Sequence, residues 1–94
     1  KFPEAYRDIS ILVDRFVTSQ RIESLILKTG SPLIQKVELY DHFEGKKIQA
    51  DKKSLTFALS FQSAERTLSD EEVTPLFERI IKTLESELDA SLRE

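Results

Sequence analysis

Cysteine, methionine and asparagine are absent from these 94 residues, and histidine occurs once, at His42. Without cysteine there are no disulfides, thiolate nucleophiles, iron–sulfur clusters or cysteine-ligated zinc. A single histidine cannot supply a multi-histidine metal site, so no metal is expected. Apolar runs are short; none nears the ~18 residues of a membrane span, and no signal-peptide pattern is present. Basic excess is missing too: 14 Lys and Arg stand against 17 Asp and Glu, a formal charge of −3. That balance opposes a general polyanion binder, because phosphate contacts dominate non-specific affinity, and any nucleic-acid role must come from a local patch. With no methionine and a start at Lys1, the chain reads as a piece cut from a longer protein whose other parts carry any chemistry.

What is present suits one compact domain over residues 1–94, with 39% hydrophobic and 33% charged residues. Arg7 to Asp14 alternates as a strand, with Ile9, Ile11 and Val13 on one face. Thr18 is a good helix N-cap, Val17 is placed to staple onto Ile22, and Ile22, Leu25 and Ile26 form an apolar stripe. Gly30 and Pro32 read as stop signals. Leu33 to Phe43 is a second strand whose parity slips near Tyr40, which implies a bend or bulge. In the third strand Leu55, Phe57, Leu59 and Phe61 alternate with Ser54, Thr56, Ala58 and Ser60: one face is core, the other small and polar.

Ser69-Asp70-Glu71-Glu72 reads as a capping box, and Val73, Leu76, Phe77, Ile80, Leu84 and Leu88 recur at helical spacing. Pro75 lies past the first turn, so either the helix kinks there or Thr74 caps a second segment. Ala90 to Arg93 closes the chain as a short strand. The order β-α-β-β-α-β predicts an α+β, ferredoxin-like sandwich, with two helices on one face of a four-stranded antiparallel sheet.

Many functions share that architecture. Asp41-His42 could be read as an acid/base pair, but adjacent strand residues point to opposite faces, so the carboxylate is not aimed at the imidazole. An acylphosphatase-like site would need an anion-cradling loop after the first strand and an arginine–asparagine pair; the loop from Asp14 to Ser19 has no glycine. RNA-recognition motifs stack bases on central-strand aromatics, whereas Phe57 and Phe61 here have core parity. Lys46, Lys47, Lys52 and Lys53 stud the loop after the second strand and can follow an RNA backbone, or simply solvate a hairpin.

Five stretches change the balance: Phe2-Pro3 with Arg7-Asp8-Ile9-Ser10; Leu39-Tyr40-Asp41-His42-Phe43 with Gly45; Lys53-Ser54-Leu55; Arg66-Thr67-Leu68-Ser69-Asp70-Glu71-Glu72-Val73; and Leu92-Arg93. In this order, across nearly the whole chain, they resemble the ferredoxin-fold anticodon-binding domain found at the C-terminus of bacterial phenylalanyl-tRNA synthetase β subunits and at the end of the single-chain organellar enzymes. The resemblance implies a noncatalytic domain that grips the anticodon stem-loop of phenylalanine tRNA while aminoacylation occurs elsewhere. It implies a cytoplasmic bacterial parent that uses ATP and magnesium, with the rest of the β subunit and the α subunit as partners in an (αβ)₂ assembly.

Carried over by motif, the anticodon contacts are Asp41, Phe43, Ser54 and Arg93. Asp41 can accept from base N–H groups, Ser54 can donate or accept, Arg93 can bridge base and phosphate, and Phe43 can stack. The family often has tyrosine where Phe43 stands, so stacking survives without the hydroxyl. Tyr40, where phenylalanine is usual, is expected in the core. Parity puts Ser54 and Arg93 on the open face, away from the packing. The competing reading is a ferredoxin-like regulatory or protein-interaction module that does not bind RNA.

Overall fold

The alternation of residues 52–61 is the organising feature of the computed structural model, which describes residues 2–45 and 47–93. Strands β1 (Ala5–Asp14), β2 (Ile34–Phe43), β3 (Lys52–Phe61) and β4 (Ser91–Leu92) form one sheet in the order β2-β3-β1-β4, every pair antiparallel. Helices α1 (Ser19–Gly30) and α2 (Asp70–Leu88) cover one face. Leu55, Phe57, Leu59 and Phe61 are buried there with Ile9, Ile11 and Val13 of β1 and with Ile22, Ile26, Val73, Ile80 and Leu84 of the helices. The opposite face carries no helix, and Tyr6, Tyr40 and Phe43 stand exposed on it. This is the ferredoxin-like arrangement that the element order predicts.

Local chemistry explains the element ends. The Thr18 hydroxyl accepts from the Arg21 N–H at 3.1 Å, satisfying one orphan donor of α1. At α2 the Glu72 carboxylate reaches back to accept from the Ser69 N–H at 3.2 Å, and Arg66 pairs with that carboxylate from outside. Arg7 joins β1 to the start of α2, donating to Asp70 at 3.0 Å. The paired Arg66 guanidinium, then the Ser69 N–H, hold the Glu72 carboxyl below its usual range, overcoming the slight burial that opposes ionisation.

Three details depart from expectation. α2 runs unbroken through Pro75, so Thr74 caps no second segment. Pro75 is exposed, and the Glu71 carbonyl that loses its donor faces a solvated side of the helix. Gly30 does not end α1 through a left-handed turn: Ser31 is the C-cap, and a Cβ at Gly30 would lie 2.8 Å from Ile34 Cγ2. Its missing side chain lets the helix pass close over β2. The closing strand pairs over only Ser91 and Leu92, shorter than the 90–93 expected.

Gly30→Ala should therefore destabilise the domain by about 1–3 kcal/mol, the usual cost of forcing atoms into a packed core, in urea unfolding. Asp89, in the left-handed conformation at φ 54° and ψ 33° after α2, should behave oppositely: Asp89→Gly is expected to raise stability by about 0.5–1 kcal/mol by relieving the Cβ penalty. Because the Glu72 folded-state pKa is depressed, its stabilisation is present above the ordinary value of 4.5 and is lost as pH falls through the lower folded-state value. The stability gap between wild type and Glu72→Gln should accordingly be widest near neutral pH and close under acid conditions, read from unfolding midpoints across that range.

Candidate nucleic-acid interface

β3 and β2 place Ser54 opposite Phe43, and β1 places Leu12 on the other side of Ser54. β4 then brings Arg93 over them. The Arg93 backbone N–H donates to the Ser10 carbonyl at 2.9 Å, its Nη1 donates to Ser54 Oγ at 3.1 Å, and its Cζ sits 5.6 Å from the centroid of the Phe43 ring. Three of the four motif-derived residues thus form one cluster. Arg93 offers five side-chain donors; one is spent on Ser54, the others have no hydrogen-bond partner among the described residues, and the residue is exposed. Phe43 is 49% exposed, so a base can lie on its free face or on the guanidinium plane.

Ser54 has the parity expected but is not open. It is 1% exposed beneath this cluster, and its hydroxyl is committed to Arg93. Asp41 sits two residue pairs away, opposite Thr56, with its Oδ1 accepting from the His42 N–H at 3.0 Å. No hydrogen bond joins Asp41 to Arg93 among the described residues. The His42 ring pairs instead with Glu44 at 2.9 Å, so Asp41 and the imidazole do not act as a couple.

The lysines divide. Lys47 shares a depression of about 410 Å³ with Phe43, Glu44, Ile48 and Arg93. Lys52 has the parity of Ser54 and borders a neighbouring groove of about 580 Å³ with Arg15, Glu44 and Ile48. Lys53 pairs with Val13 and turns to the helix side of the sheet. Lys46 lies outside the described residues. The loop that delivers Lys47 turns at Gly45, whose φ of 111° disfavours any side chain.

Sequence reading missed two parts of this surface. Tyr40 is not core: it is 57% exposed on the open face. The β2 register jumps between Leu39 and Asp41, leaving Tyr40 as the extra residue, and a bulge sends neighbouring side chains to one side instead of alternating them. The slip in parity was the available signal. Partial burial, then the carboxylates of Asp8 and Asp41, raise the Tyr40 phenol above its ordinary value, so it stays protonated at physiological pH. The second part is Arg15, whose guanidinium lies 5.0 Å from the exposed Phe16 ring and lines the Lys52 groove; nothing in its spacing marked it.

An exposed aromatic, a tethered arginine and a flanking lysine on a helix-free sheet face suit an unpaired nucleic-acid strand, and the comparison with known sequences agrees. The model of the ferredoxin-fold anticodon binding domain matches residues 1–93. The chain belongs to that family. Similar proteins include phenylalanine–tRNA ligase beta subunits from Clostridium acetobutylicum, 40% identical over 93 residues, and from Halalkalibacterium halodurans, 42% identical over 93 residues. The beta subunit of Bacillus subtilis is 39% identical over the same length. Each match covers 99% of this chain and 12% of the relative, so the anticodon binding domain spans about an eighth of those proteins. Membership favours RNA over the regulatory-module reading.

Because the Ser54 hydroxyl is buried against Arg93, the two residues should be coupled in stability. Ser54→Ala is expected to cost about 0.5–1.5 kcal/mol, the net worth of one hydrogen bond. In an Arg93→Ala background the same change should cost less, leaving a coupling of about 0.5 kcal/mol or more. Strictly additive losses in the four-protein cycle, measured by urea unfolding, would mean that the contact adds nothing.

Proposed function

We propose that this chain is the anticodon-binding domain from the C-terminal part of a phenylalanine–tRNA ligase beta subunit. It grips the anticodon stem-loop of phenylalanine tRNA, while aminoacylation takes place elsewhere in the enzyme. The observation that carries this reading is the Phe43–Arg93–Ser54 cluster, an aromatic platform and a fixed donor fork assembled on the helix-free face from motif residues far apart in sequence. In this role Phe43 stacks an unpaired base. Arg93 supplies donors to a base edge or phosphate, Asp41 accepts from base N–H groups, and Ser54 holds Arg93 from below. Lys47 neutralises phosphate beside the cluster, and Lys52 with Arg15 extends the basic path.

The proposed parent uses ATP and magnesium, and its partners are the remainder of the beta subunit and an alpha subunit in an (αβ)₂ assembly. The setting proposed for it is the bacterial cytoplasm, a reading supported by the bacterial origin of the relatives. No helix of the described residues is long and apolar enough to cross a membrane.

Titration with a phenylalanine anticodon stem-loop, followed by amide chemical shifts, tests the reading. Shifts should concentrate on β2, β3 and β4. The dissociation constant should fall at about 10⁻⁴ to 10⁻⁶ M and weaken with salt, as for a modest set of phosphate contacts. Phe43→Ala should cost about 1–3 kcal/mol of binding, the usual worth of a base–aromatic stack. Lys47→Ala should instead weaken cognate and scrambled loops alike and flatten the salt slope. Shifts confined to the helices, or none, would sink the proposal.

A further inference from the structure

Strand β1 is paired with β3 from Ala5 to Asp14, but on its other side β4 covers only Ile11 and Leu12. The Ser10 carbonyl points to that outer side, where it accepts the Arg93 N–H at 2.9 Å. Backbone groups alternate along an antiparallel strand, so those of Tyr6 and Asp8 point the same way. The Tyr6 carbonyl is taken by its neighbour: Arg7 Nη1 donates to it at 3.0 Å. Between the two arginines, the N–H and C=O of Asp8 have no hydrogen-bond partner among the described residues. An unpaired pair of this kind is a template for one more strand.

The helix side beneath this gap is apolar. Leu92 pairs with Ile11 and shares its face. Ile9 and Leu92, with Phe77 and Ile81 one turn apart on α2, line a groove of about 400 Å³ that opens on the sheet face at Asp8. Phe77 and Ile81 are half-buried, whereas Val73, Ile80 and Leu84 on the adjoining stripe of α2 are sealed. Helical spacing sets Glu85 and then Glu78 next to Phe77 and Ile81, on the flank away from the core, and both are exposed. Asp8, exposed as well, forms the opposite lip. The gap thus has an apolar floor between acidic lips.

We propose that this gap is a docking site for an extended segment of another polypeptide, one that carries basic residues alternating with apolar ones and adds to β1 as a strand in line with β4. The backbone of the segment completes the hydrogen bonds of Asp8. Asp8 points to the open face and Ile9 to the helix side, and residues opposite each other on paired strands share a face. A basic residue opposite Asp8 therefore meets its carboxylate, and the apolar residues beside it drop towards Phe77 and Ile81. Glu78 and Glu85 give the outer flank of the segment a matching charge. RNA is opposed here, since its phosphates would face the carboxylates of Asp8, Glu78 and Glu85. A second copy pairing two-fold through this edge would set Asp8 against Asp8. The inference does not depend on the RNA reading: Phe43 and Ser54 lie outside the groove.

The test titrates the 94-residue chain with a short peptide of alternating lysine and valine, blocked at both ends. At about millimolar peptide, the range in which so small a contact binds, amide shifts should centre on residues 6–10, 77–81 and 91–93. The Asp8 N–H should exchange more slowly with solvent. A lysine opposite Asp8 puts the lysine N–H groups on the paired edge. N-methylation of the lysine residues should then weaken binding about fivefold or more, as for lost hydrogen bonds, whereas N-methylation of the valines should leave it unchanged. Glu78→Gln combined with Glu85→Gln should weaken binding about threefold, the order of exposed ion pairs, without moving the melting temperature. Phe43→Ala should bind the peptide like the wild type. Equal binding of the two N-methylated forms, equal binding of a glutamate-for-lysine peptide, or shifts that miss Asp8 and Ile81 would each overturn the proposal. So would concentration-dependent shifts at these residues without peptide, which would give the edge to a second copy, or shifts of Phe77 and Ile81 by the stem-loop, which would give it to RNA.

Discussion

Everything in this domain hangs on the two-sidedness of β3. Leu55, Phe57, Leu59 and Phe61 are each essentially inaccessible, and all project towards the helices. β3 is also the strand that pairs along its whole length with β1 and nearly so with β2. A one-residue slip would turn four large apolar groups to solvent and draw serine and threonine into the core, so the register is held by the hydrophobic effect itself. The same constraint makes the other face. Where Ser54, Thr56, Ala58 and Ser60 stand, nothing bulky rises from the middle of the sheet. The aromatics and charges of the neighbouring strands instead form walls around a shallow polar floor.

Family resemblance at the sequence level mixes two kinds of residue, and the structure separates them. Arg7, Asp70, Arg66 and Glu72 meet each other: they tie β1 to α2 and close the α2 N-terminus. Gly45 answers a backbone demand. These residues make the sheet and its loops what they are, and none faces the candidate interface. Phe43 and Arg93 do face it, with Ser54 beneath them.

Much of the fold was legible because it follows short-range rules. Period-two alternation identified β1 and β3, the Ser69–Glu72 box marked the start of α2, and lost parity at Tyr40 revealed a bulge. The misreadings share a cause in what tertiary contact decides. Gly30 looked like a stop signal, but its role depends on Ile34 being 2.8 Å from where its Cβ would be. Pro75 looked disruptive, but the turn it occupies faces water. Tyr40 was assigned to the core because it stands where phenylalanine is usual in the family it resembles, and only pairing with β3 shows which way the bulge turns it. Ser54 was placed on the correct face but taken to be open, since parity cannot reveal that Arg93, distant in sequence, lies on top of it.

β4 carries a further consequence. It contributes a two-residue ladder at the sheet edge, the weakest of the four strands by pairing, yet it bears the guanidinium around which the interface is organised. Openings of such an edge need far less free energy than unfolding of the core. Arg93 will therefore detach and reseat many times within the lifetime of one folded molecule, and on warming the interface will come apart while the sandwich beneath it is still intact. The temperature that limits this surface is thus set by the short β4 ladder, the Arg93 N–H on the Ser10 carbonyl and the contacts of one guanidinium with Ser54 and Phe43, rather than by the hydrophobic core.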